Sequence, residues 1–432
     1  MITKPNQKAP VGAPPTMRRV AFASYVGSAI EYYDFYIYGI AAALVFPHVF
    51  FPELSPAVAT ISSFATFAVA FIVRPLGSAF FGHYGDRLGR KKTLVATLLI
   101  MGLSTVAIGL IPSAETIGPA APIILIIMRA LQGFAVGGEW SGAALLTSEY
   151  APDRKRGLYG MFPQIGVGSG LVLSSLVFLI VSNTVGETSD AFVTWAWRLP
   201  FLFSIVLITI ALYMRLNIEE TPVFRNNQKK IPKSPLAALL RAQPKQTALA
   251  AGAMMSIFTF TFMGGTYLTG YGRHELGHSF DLVLVANVAG GLAMVSTCAL
   301  SAVLSDTYGR RRVILFGFAI GLPWSCAVLP ILDTGSPALF VVGIASTFAI
   351  LGASYGPMAS FIPELFATEY RYTGAGLAYN LAGVVGGAIP PVIAGILLTT
   401  FGSYAIALLL IAFVLVSLLS TLLLPETNAR RL

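Results

Sequence analysis

Charge is scarce in this chain. Of its 432 residues, 11% are Asp, Glu, Lys or Arg, against about 25% in an ordinary soluble domain. That shortfall excludes a globular protein with a charged, solvated surface. Cysteine is scarcer still: Cys298 and Cys326 both fall in apolar stretches, which argues against a disulfide framework or a Cys-based metal site. Four histidines are scattered, His48, His83, His274 and His278. His274 and His278 share a connection, but two residues supply too few ligands for zinc. No nucleotide-binding loop and no nucleophile elbow occurs in the sequence, so an integral-membrane enzyme has no catalytic motif to rest on. No cofactor and no metal are expected.

Apolar sequence is abundant, at 56% hydrophobic residues. Twelve stretches reach the roughly 20 residues that a bilayer requires. Their approximate spans are 20–46, 57–81, 93–112, 121–147, 158–182, 196–216, 246–271, 282–304, 313–331, 337–362, 374–399 and 403–424. All are expected to be helices, because an open sheet edge cannot be satisfied in lipid. The first is too long, and too rich in acids and tyrosines, for a cleaved signal peptide. Residues 1–19, with Pro5, Pro10, Pro14 and Pro15, read as a flexible tail. Residues 217–245 form the longest connection. They separate an amino-terminal six-helix bundle, 20–216, from a carboxyl-terminal one, 246–424, with 425–432 as a second tail. Leu236–Arg241 within the linker suits a short amphipathic piece on the membrane surface.

The net charge of +9 is distributed by side, and the connections between odd and even spans explain it. The loops near Pro52, Ser113, Gly186 and Asp333 lack Lys and Arg, while the tails and alternate connections carry nearly all of them; Arg74, Arg129, Arg198 and Arg273 are the exceptions. The positive-inside rule then places both termini in the cytoplasm. Anionic lipid on that face accounts for the basic loops, so no nucleic-acid partner is needed.

One of these loops is repeated. GHYGDRLGRKK at Gly82–Lys92 returns as AVLSDTYGRRR at Ala302–Arg312, so that Asp86, Gly89 and Arg90 answer to Asp306, Gly309 and Arg310. A second echo follows: Glu149 precedes Arg156, and Glu364 precedes Arg371, by the same interval. Two patterns recurring in the same order imply two copies of one membrane unit, the build of secondary transporters with a site at the repeat interface.

Four segments carry a family likeness: GSAIEYYDFYIYG at Gly27–Gly39, RPLGSAFFGHYGDRLGRKK at Arg74–Lys92, RALQGFAVGGEWSGA at Arg129–Ala143 and EYAPDRKRG at Glu149–Gly157. From about residue 20 to 425 the chain resembles the major facilitator superfamily, and within it the metabolite:proton symporters that carry proline/betaine, citrate, 2-oxoglutarate or shikimate. LLLPET at Leu422–Thr427 resembles the end of the related sugar carriers. The resemblance implies an all-α integral membrane fold of twelve helices in two pseudo-symmetric six-helix bundles. There are departures. Thr307 replaces the basic Arg87 in the second loop, Tyr32 stands where the family often has tryptophan, and Gly166, Gly168 and Gly170 lack the following Gly-Pro of antiporters.

The resemblance also implies that the first, fourth, seventh and tenth helices line a central cavity. A charge near the bilayer centre costs about 2.5–3.5 kcal/mol or more, so it ordinarily has a partner and a task. Glu31 and Asp34 lie one turn apart on helix one, and Arg129, Gln132 and Glu139 share a stripe of helix four. A guanidinium offers forked donors to a carboxylate of protein or of cargo. Asp34 or Glu31 is therefore read as the proton site and Arg129 as the anion anchor. The competing reading is a standing salt bridge between helices one and four. Gln132, Tyr33, Glu139, Gln164, Tyr355 and Asn380 are further candidates for substrate contact; packing is the competing reading for each aromatic among them. By resemblance, Asp86, Arg90, Glu149 and Arg156, mirrored by Asp306, Arg310, Glu364 and Arg371, form a cytoplasmic gate. Arg74 lies near the depth of Glu139 without an assigned partner.

The expected activity is proton-coupled symport of a small organic acid or zwitterion by alternating access at the cell membrane. A facilitative uniporter or a proton-driven exporter shares the same fold. A nutrient sensor without net transport is a more distant reading.

Overall fold

The computed structural model describes residues 17–88, 90–137, 139–152, 155–187, 189–216 and 235–428. No strand occurs among them. Twelve helical segments follow one another along the described residues. They are α1 (Met17–Leu44), α2 (Pro56–Leu88), α3 (Arg90–Leu110), α4 in two pieces (Ala120–Val136 and Glu139–Tyr150), α5 (Arg156–Val185), α6 (Leu199–Leu216), α7 (Pro244–His274), α8 (Phe280–Tyr308), α9 (Arg310–Leu332), α10 (Pro337–Glu364), α11 (Arg371–Phe401) and α12 (Ser403–Leu423). Each coincides with one of the twelve apolar stretches. Most run longer than the stretch, because hydrogen-bonded turns continue past the apolar window into the loops.

Local chemistry sets several ends. The hydroxyls of Ser279 and Ser336 accept from the backbone N–H of Leu282 and Leu339 and so satisfy orphan donors at the starts of α8 and α10. α8 turns into α9 through Gly309, at φ 96°, a conformation that only glycine adopts without strain. A Cβ there would also lie 2.6 Å from Glu426 Oε2.

Among the first six helices, α1 packs on α5, α2 on α4, and α3 on α4 and α6. Among the last six, α8 packs on α10, α7 on α11 and α12, and α9 on α10 and α12. Contacts between the two sets run through α5 with α8, α1 with α7, and α2 and the second piece of α4 with α11. Small residues allow the closest approaches, as expected where lipid offers no hydrophobic drive between helices. A Cβ on Gly133 would sit 2.1 Å from the carbonyl oxygen of Ala70, and one on Gly137 2.2 Å from that of Arg74. These two glycines clamp α4 against α2 and bring Arg129 and Arg74 into one neighbourhood.

Three helices are interrupted beside the centre. The first piece of α4 ends at Val136, and Asn380 Nδ2 donates to the Gly137 carbonyl oxygen at 2.8 Å. α7 contains a widened π turn at Met263–Tyr267, and α11 contains another at Gly383–Ala388. Pro390 and Pro391 predict a kink in α11; the irregularity lies in the turn before them. Pro390 has no N–H to give to the Gly386 carbonyl four residues earlier. Thr259 Oγ1 on α7 donates to that oxygen instead, at 3.1 Å. The linker piece forms a helix at Pro235–Ala242 that packs on α11, with Leu239 buried and Leu236 and Leu240 exposed.

Candidate functional site

Arg129 is completely buried. Its guanidinium carbon lies 4.0 Å from the centroid of Tyr38, 4.6 Å from Phe35 and 4.8 Å from Phe67, so α1 and α2 surround it with aromatic faces that favour a cation. Nη1 donates to Gln132 Oε1 at 2.9 Å, one turn along α4. Nε and Nη2 meet no acceptor among the described residues. Gln132 Nε2 donates to Thr105 Oγ1 of α3 at 2.7 Å, and Thr105 Oγ1 donates to Asp34 Oδ2 at 3.0 Å. Ser204 Oγ of α6 donates to Asp34 Oδ1 at 2.7 Å. Arg129 and Asp34 are thus joined through two neutral side chains rather than by direct contact. Burying a carboxylate costs several kcal/mol unless its lone pairs are satisfied, and two hydroxyls do this for Asp34. Glu31, one turn earlier on α1, is also buried, and its charge reaches Asp34 and Tyr32.

Arg74 of α2 sits 4.3 Å from the centroid of Phe35 and 4.6 Å from Phe71. It is 1% exposed, and Nε, Nη1 and Nη2 all lack an acceptor among the described residues.

The remaining candidates separate into two groups. Several meet at the seam between the two sets of six helices. Trp140 Nε1 donates to Gln164 Oε1 at 3.0 Å, and Gln164 Nε2 donates to the Tyr355 carbonyl oxygen at 3.0 Å. Trp140 stacks on Tyr379 at 4.1 Å, and the hydroxyls of Tyr379 and Tyr32 are 2.5 Å apart. Glu139 is buried in the first turn of the second piece of α4, where the helix dipole favours a carboxylate. Tyr33 points away from this seam. Its hydroxyl donates to the Pro200 carbonyl oxygen at 2.7 Å, and its ring meets Phe203 edge-on. At another end of the seam a cavity of about 640 Å³ is lined by His48, Phe64, Tyr267, Tyr271 and His274, among others.

The second charged loop forms a dense cluster. Arg310 Nε donates to Glu364 Oε2 at 2.8 Å, and Nη1 donates to Asp306 Oδ1 at 3.1 Å and to Ser305 Oγ at 3.2 Å. Arg156 Nη1 stands 4.0 Å from Glu364 Oε1. Asp306 reaches across the seam: Oδ1 accepts from Gly157 N at 2.8 Å and Oδ2 from Leu158 N at 3.0 Å. It thereby caps the first turn of α5, where donors are unsatisfied and the dipole is positive. Glu426 accepts from the backbone N–H of Arg310 and Arg311 at the start of α9, and Thr427 Oγ1 donates to Glu364 Oε2 at 2.6 Å. The start of the expected carboxyl-terminal tail is therefore docked. Arg371 is buried and donates to Thr368 Oγ1 at 3.3 Å. The side chains of Asp86, Arg90 and Glu149, expected in the first copy of the cluster, lie outside the described residues.

Comparison with known proteins fixes the family. The sequence model described as "Major Facilitator Superfamily" matches residues 24–391. The chain is 43% identical, over 96% of its length and 95% of the relative's, to the inner membrane metabolite transport protein YhjE of Escherichia coli K12. It is 41% identical to the shikimate transporter of the same strain, with 95% of each chain covered. It is 34% identical to that strain's proline/betaine transporter, over 96% of this chain and 85% of the relative. The chain belongs to the Major Facilitator Superfamily. Among solved structures, a partially occluded inward-open conformation of the xylose transporter XylE from E. coli superposes with a TM-score of 0.72. It is 18% identical, with 96% of this chain and 99% of that one covered.

As a major facilitator the protein is a multi-pass membrane transporter of small molecules rather than an enzyme, with the twelve-helix fold of its superfamily. Thr105, Ser204, Trp140 and Tyr379 take part in the site although sequence reasoning passed over them. Thr105 and Ser204 stand among apolar residues, where a hydroxyl can bond to its own helix, so nothing in the sequence distinguishes them. Trp140 and Tyr379 carried a weak signal, since each adjoins a polar candidate, Glu139 and Asn380.

Proposed function

We propose that this transporter is a proton-coupled symporter of a small organic acid or zwitterionic metabolite. In this reading Arg129 anchors the cargo's carboxylate, and Asp34 or Glu31 takes the proton. The chain Arg129–Gln132–Thr105–Asp34 carries it. An anion arriving on the open donors of Arg129 offsets the positive charge that acts on Asp34 and draws Nη1 away from Gln132. Gln132 and Thr105 then reorient, and the carboxylate meets the cargo's negative charge in a site of low dielectric, where binding a proton relieves the repulsion. Proton and cargo are linked because each makes the other's binding easier. The names of two relatives, a shikimate transporter and a proline/betaine transporter, are those of an organic acid and of zwitterions, which agrees with a carboxylate anchor. XylE, a solved protein of the same fold, is a proton:xylose symporter, so the fold accommodates proton coupling.

Two bundles, 20–216 and 246–424, joined by the linker 217–245 and flanked by the tails 1–19 and 425–432, would rock about this site. Both termini face the cytoplasm of the cell membrane, following the basic loops. Asp306 bridging to α5 would hold the cytoplasmic side shut, and Asp86, Arg90, Glu149, Arg156, Arg310, Glu364 and Arg371 would complete the gate.

The test is uptake into proteoliposomes under an imposed pH gradient, with a panel of organic acids and zwitterions. Gradient-driven accumulation is expected, with loss of coupling in Asp34→Asn or Glu31→Gln. Coupled uptake that survives both substitutions removes the acid half of the proposal. Uptake indifferent to the gradient makes the protein a uniporter, and gradient-driven efflux makes it an exporter.

A further inference from the structure

Tyr379 of α11 commits both parts of its side chain to the opposite set of six helices. Its ring stacks on Trp140 of α4, with centroids 4.1 Å and planes 10° apart. Its hydroxyl lies 2.5 Å from that of Tyr32 on α1. The Tyr355 hydroxyl of α10 also bonds to Tyr32, so three buried phenols from both sides of the seam form one chain. Two charges act on it: Glu31, next to Tyr32 in the sequence, and Arg74 of α2 both influence Tyr32 and Tyr379. The charge of Glu31 is therefore felt by a residue of the other set. Asp34 is held differently, since its oxygens receive hydroxyls from Thr105 of α3 and Ser204 of α6, both in its own set. The remaining titratable groups nearby are Asp34 and Tyr36 on α1 and Arg129 on α4, with Glu139 beside Trp140 on α4. α5 meets Tyr32 with Gly170.

We propose that the Tyr32–Tyr379 hydroxyl contact couples the proton to the parting of the two sets of helices, with Tyr379 as a positioning residue that holds the seam while Glu31 is charged and releases it once Glu31 is neutral. This rests on the reading of the protein as a proton-coupled symporter, and it assigns the proton to Glu31 rather than Asp34. In a site of low dielectric a nearby charge polarises a chain of hydroxyls and strengthens each bond in it. A carboxylate at Glu31 draws the O–H dipoles towards itself. When Glu31 takes a proton, Arg74 acts alone, and its positive charge attracts the phenol oxygens instead. The chain must then reorganise, and its link across the seam is the Tyr32–Tyr379 contact. α11 starts at Arg371, soon after Glu364 of the loop cluster ends α10, and Tyr379 follows about two turns later. Losing the contact therefore frees the side of the molecule that Asp306 also holds.

The experiment measures the ratio of open to closed protein at the loop-cluster side as a function of pH. The full chain, carrying Cys298→Ala and Cys326→Ser, is placed in lipid nanodiscs without cargo or gradient. Spin labels on cysteines introduced at that end of α5 and α8 report the distance. The ratio is expected to rise by about fivefold or more as the pH falls from about 9 to about 5, as for an ordinary coupling between two sites. Glu31→Gln, a permanently neutral side chain, should favour the open form at every pH. Tyr379→Phe keeps the ring on Trp140 and deletes the hydroxyl; it should also favour the open form, with less than about a twofold change across the range. Tyr32→Phe removes the other hydroxyl and should behave alike, which keeps the test available where one variant fails to fold. A pH response that persists in the tyrosine variants overturns the proposal, because a purely structural bond shifts the ratio equally at every pH. A response that persists in Glu31→Gln, or a wild-type ratio indifferent to pH, overturns it too. Gradient-driven uptake by the same protein in proteoliposomes separates the two readings: where it is present, the symporter survives each of these failures. A pH response abolished by the tyrosine variants, without gradient-driven uptake, supports the contact and removes symport.

Discussion

Two clusters of buried charge in this molecule are built on opposite principles. In the loop cluster, Arg310 spends its donors on Glu364, Asp306 and Ser305. Glu364 is shared with Thr427, and Asp306 with two backbone N–H groups of α5. In the central cluster, Arg129 has one hydrogen-bond partner among the described residues, Gln132, and Arg74 meets rings in place of acceptors there. The first arrangement pairs most of its donors and acceptors, leaving Arg310 Nη2 without one among the described residues, and holds helices in place. The second leaves most of its guanidinium donors without an acceptor among the described residues. The denser pairing of the loop cluster suits a latch, and the sparser pairing of the central cluster suits a binding site.

Truncating an arginine in each cluster tests this contrast most severely. Arg310→Ala leaves Glu364 buried opposite a hole, and removal of one partner of a buried pair costs about 3–5 kcal/mol. Arg74→Leu replaces an unaccepted charge with an apolar side chain among Phe35 and Phe71, a change that is often neutral or stabilising. Thermal unfolding of the two variants in the same detergent should therefore move in different directions: a large loss for Arg310→Ala, and no loss or a gain for Arg74→Leu. Equal losses would erase the distinction.

Asp306→Ala sharpens the comparison from the latch side. It removes the acceptor for Gly157 N and Leu158 N across the seam, and hydrogen bonds to a charged group are worth about 1.5–3 kcal/mol each. The balance between inward- and outward-facing protein should shift inward by about tenfold or more, since 1.4 kcal/mol is one factor of ten. Crosslinking between cysteines placed on α5 and α8 reads this ratio, and an unchanged ratio would demote Asp306 to a helix cap without a gating role.

Thr105→Val, a smaller change, tests whether the central cluster is one unit. It deletes the hydroxyl between Gln132 and Asp34 and preserves the side chain's shape. Loss of a buried hydrogen bond of this kind costs about 1–3 kcal/mol. It should weaken proton-coupled uptake more than it lowers the melting temperature. Unaltered coupling would show that Asp34 and Arg129 act independently.

The fold was legible because lipid narrows the choices. Twelve apolar stretches of sufficient length admit only helices, and the repeated acid–glycine–arginine loop marked two halves. Arg129, Gln132, Asp34 and Glu31 were legible for the same reason, since a polar group stands out against an apolar run. Partners were less legible. The competing reading paired Arg129 directly with an acid, yet the glycine contact that seats α4 on α2 surrounds it with aromatic rings. Glu426 and Thr427 belong to the loop cluster only because α12 returns to the start of α9, a tertiary fact that local pattern does not encode. The π turns in α7 and α11 were hidden likewise: Pro390 marks a missing donor, but the hydroxyl that replaces it, Thr259, comes from another helix.

A third region with titratable groups, the cavity of about 640 Å³ lined by His48 and His274, tests the comparison most gently. His48 stands exposed in the short helix Phe46–Phe50, beside His274, whose Nε2 is 2.8 Å from the Ala43 carbonyl oxygen. Partial burial, and then the neighbouring imidazole, push the His48 ring below its ordinary value. A base held below its unfolded value resists protonation in the folded state. Both states are neutral above about pH 6.5, and as the pH falls through that value the unfolded chain binds the proton first. Stability should therefore decline below about pH 6.5, by only a few tenths of a kcal/mol because the site is open to solvent. His48→Gln should flatten that acid-side slope without altering stability at pH 8. A slope that persists in the variant would assign it to other groups and leave this cavity electrostatically passive, unlike either buried cluster.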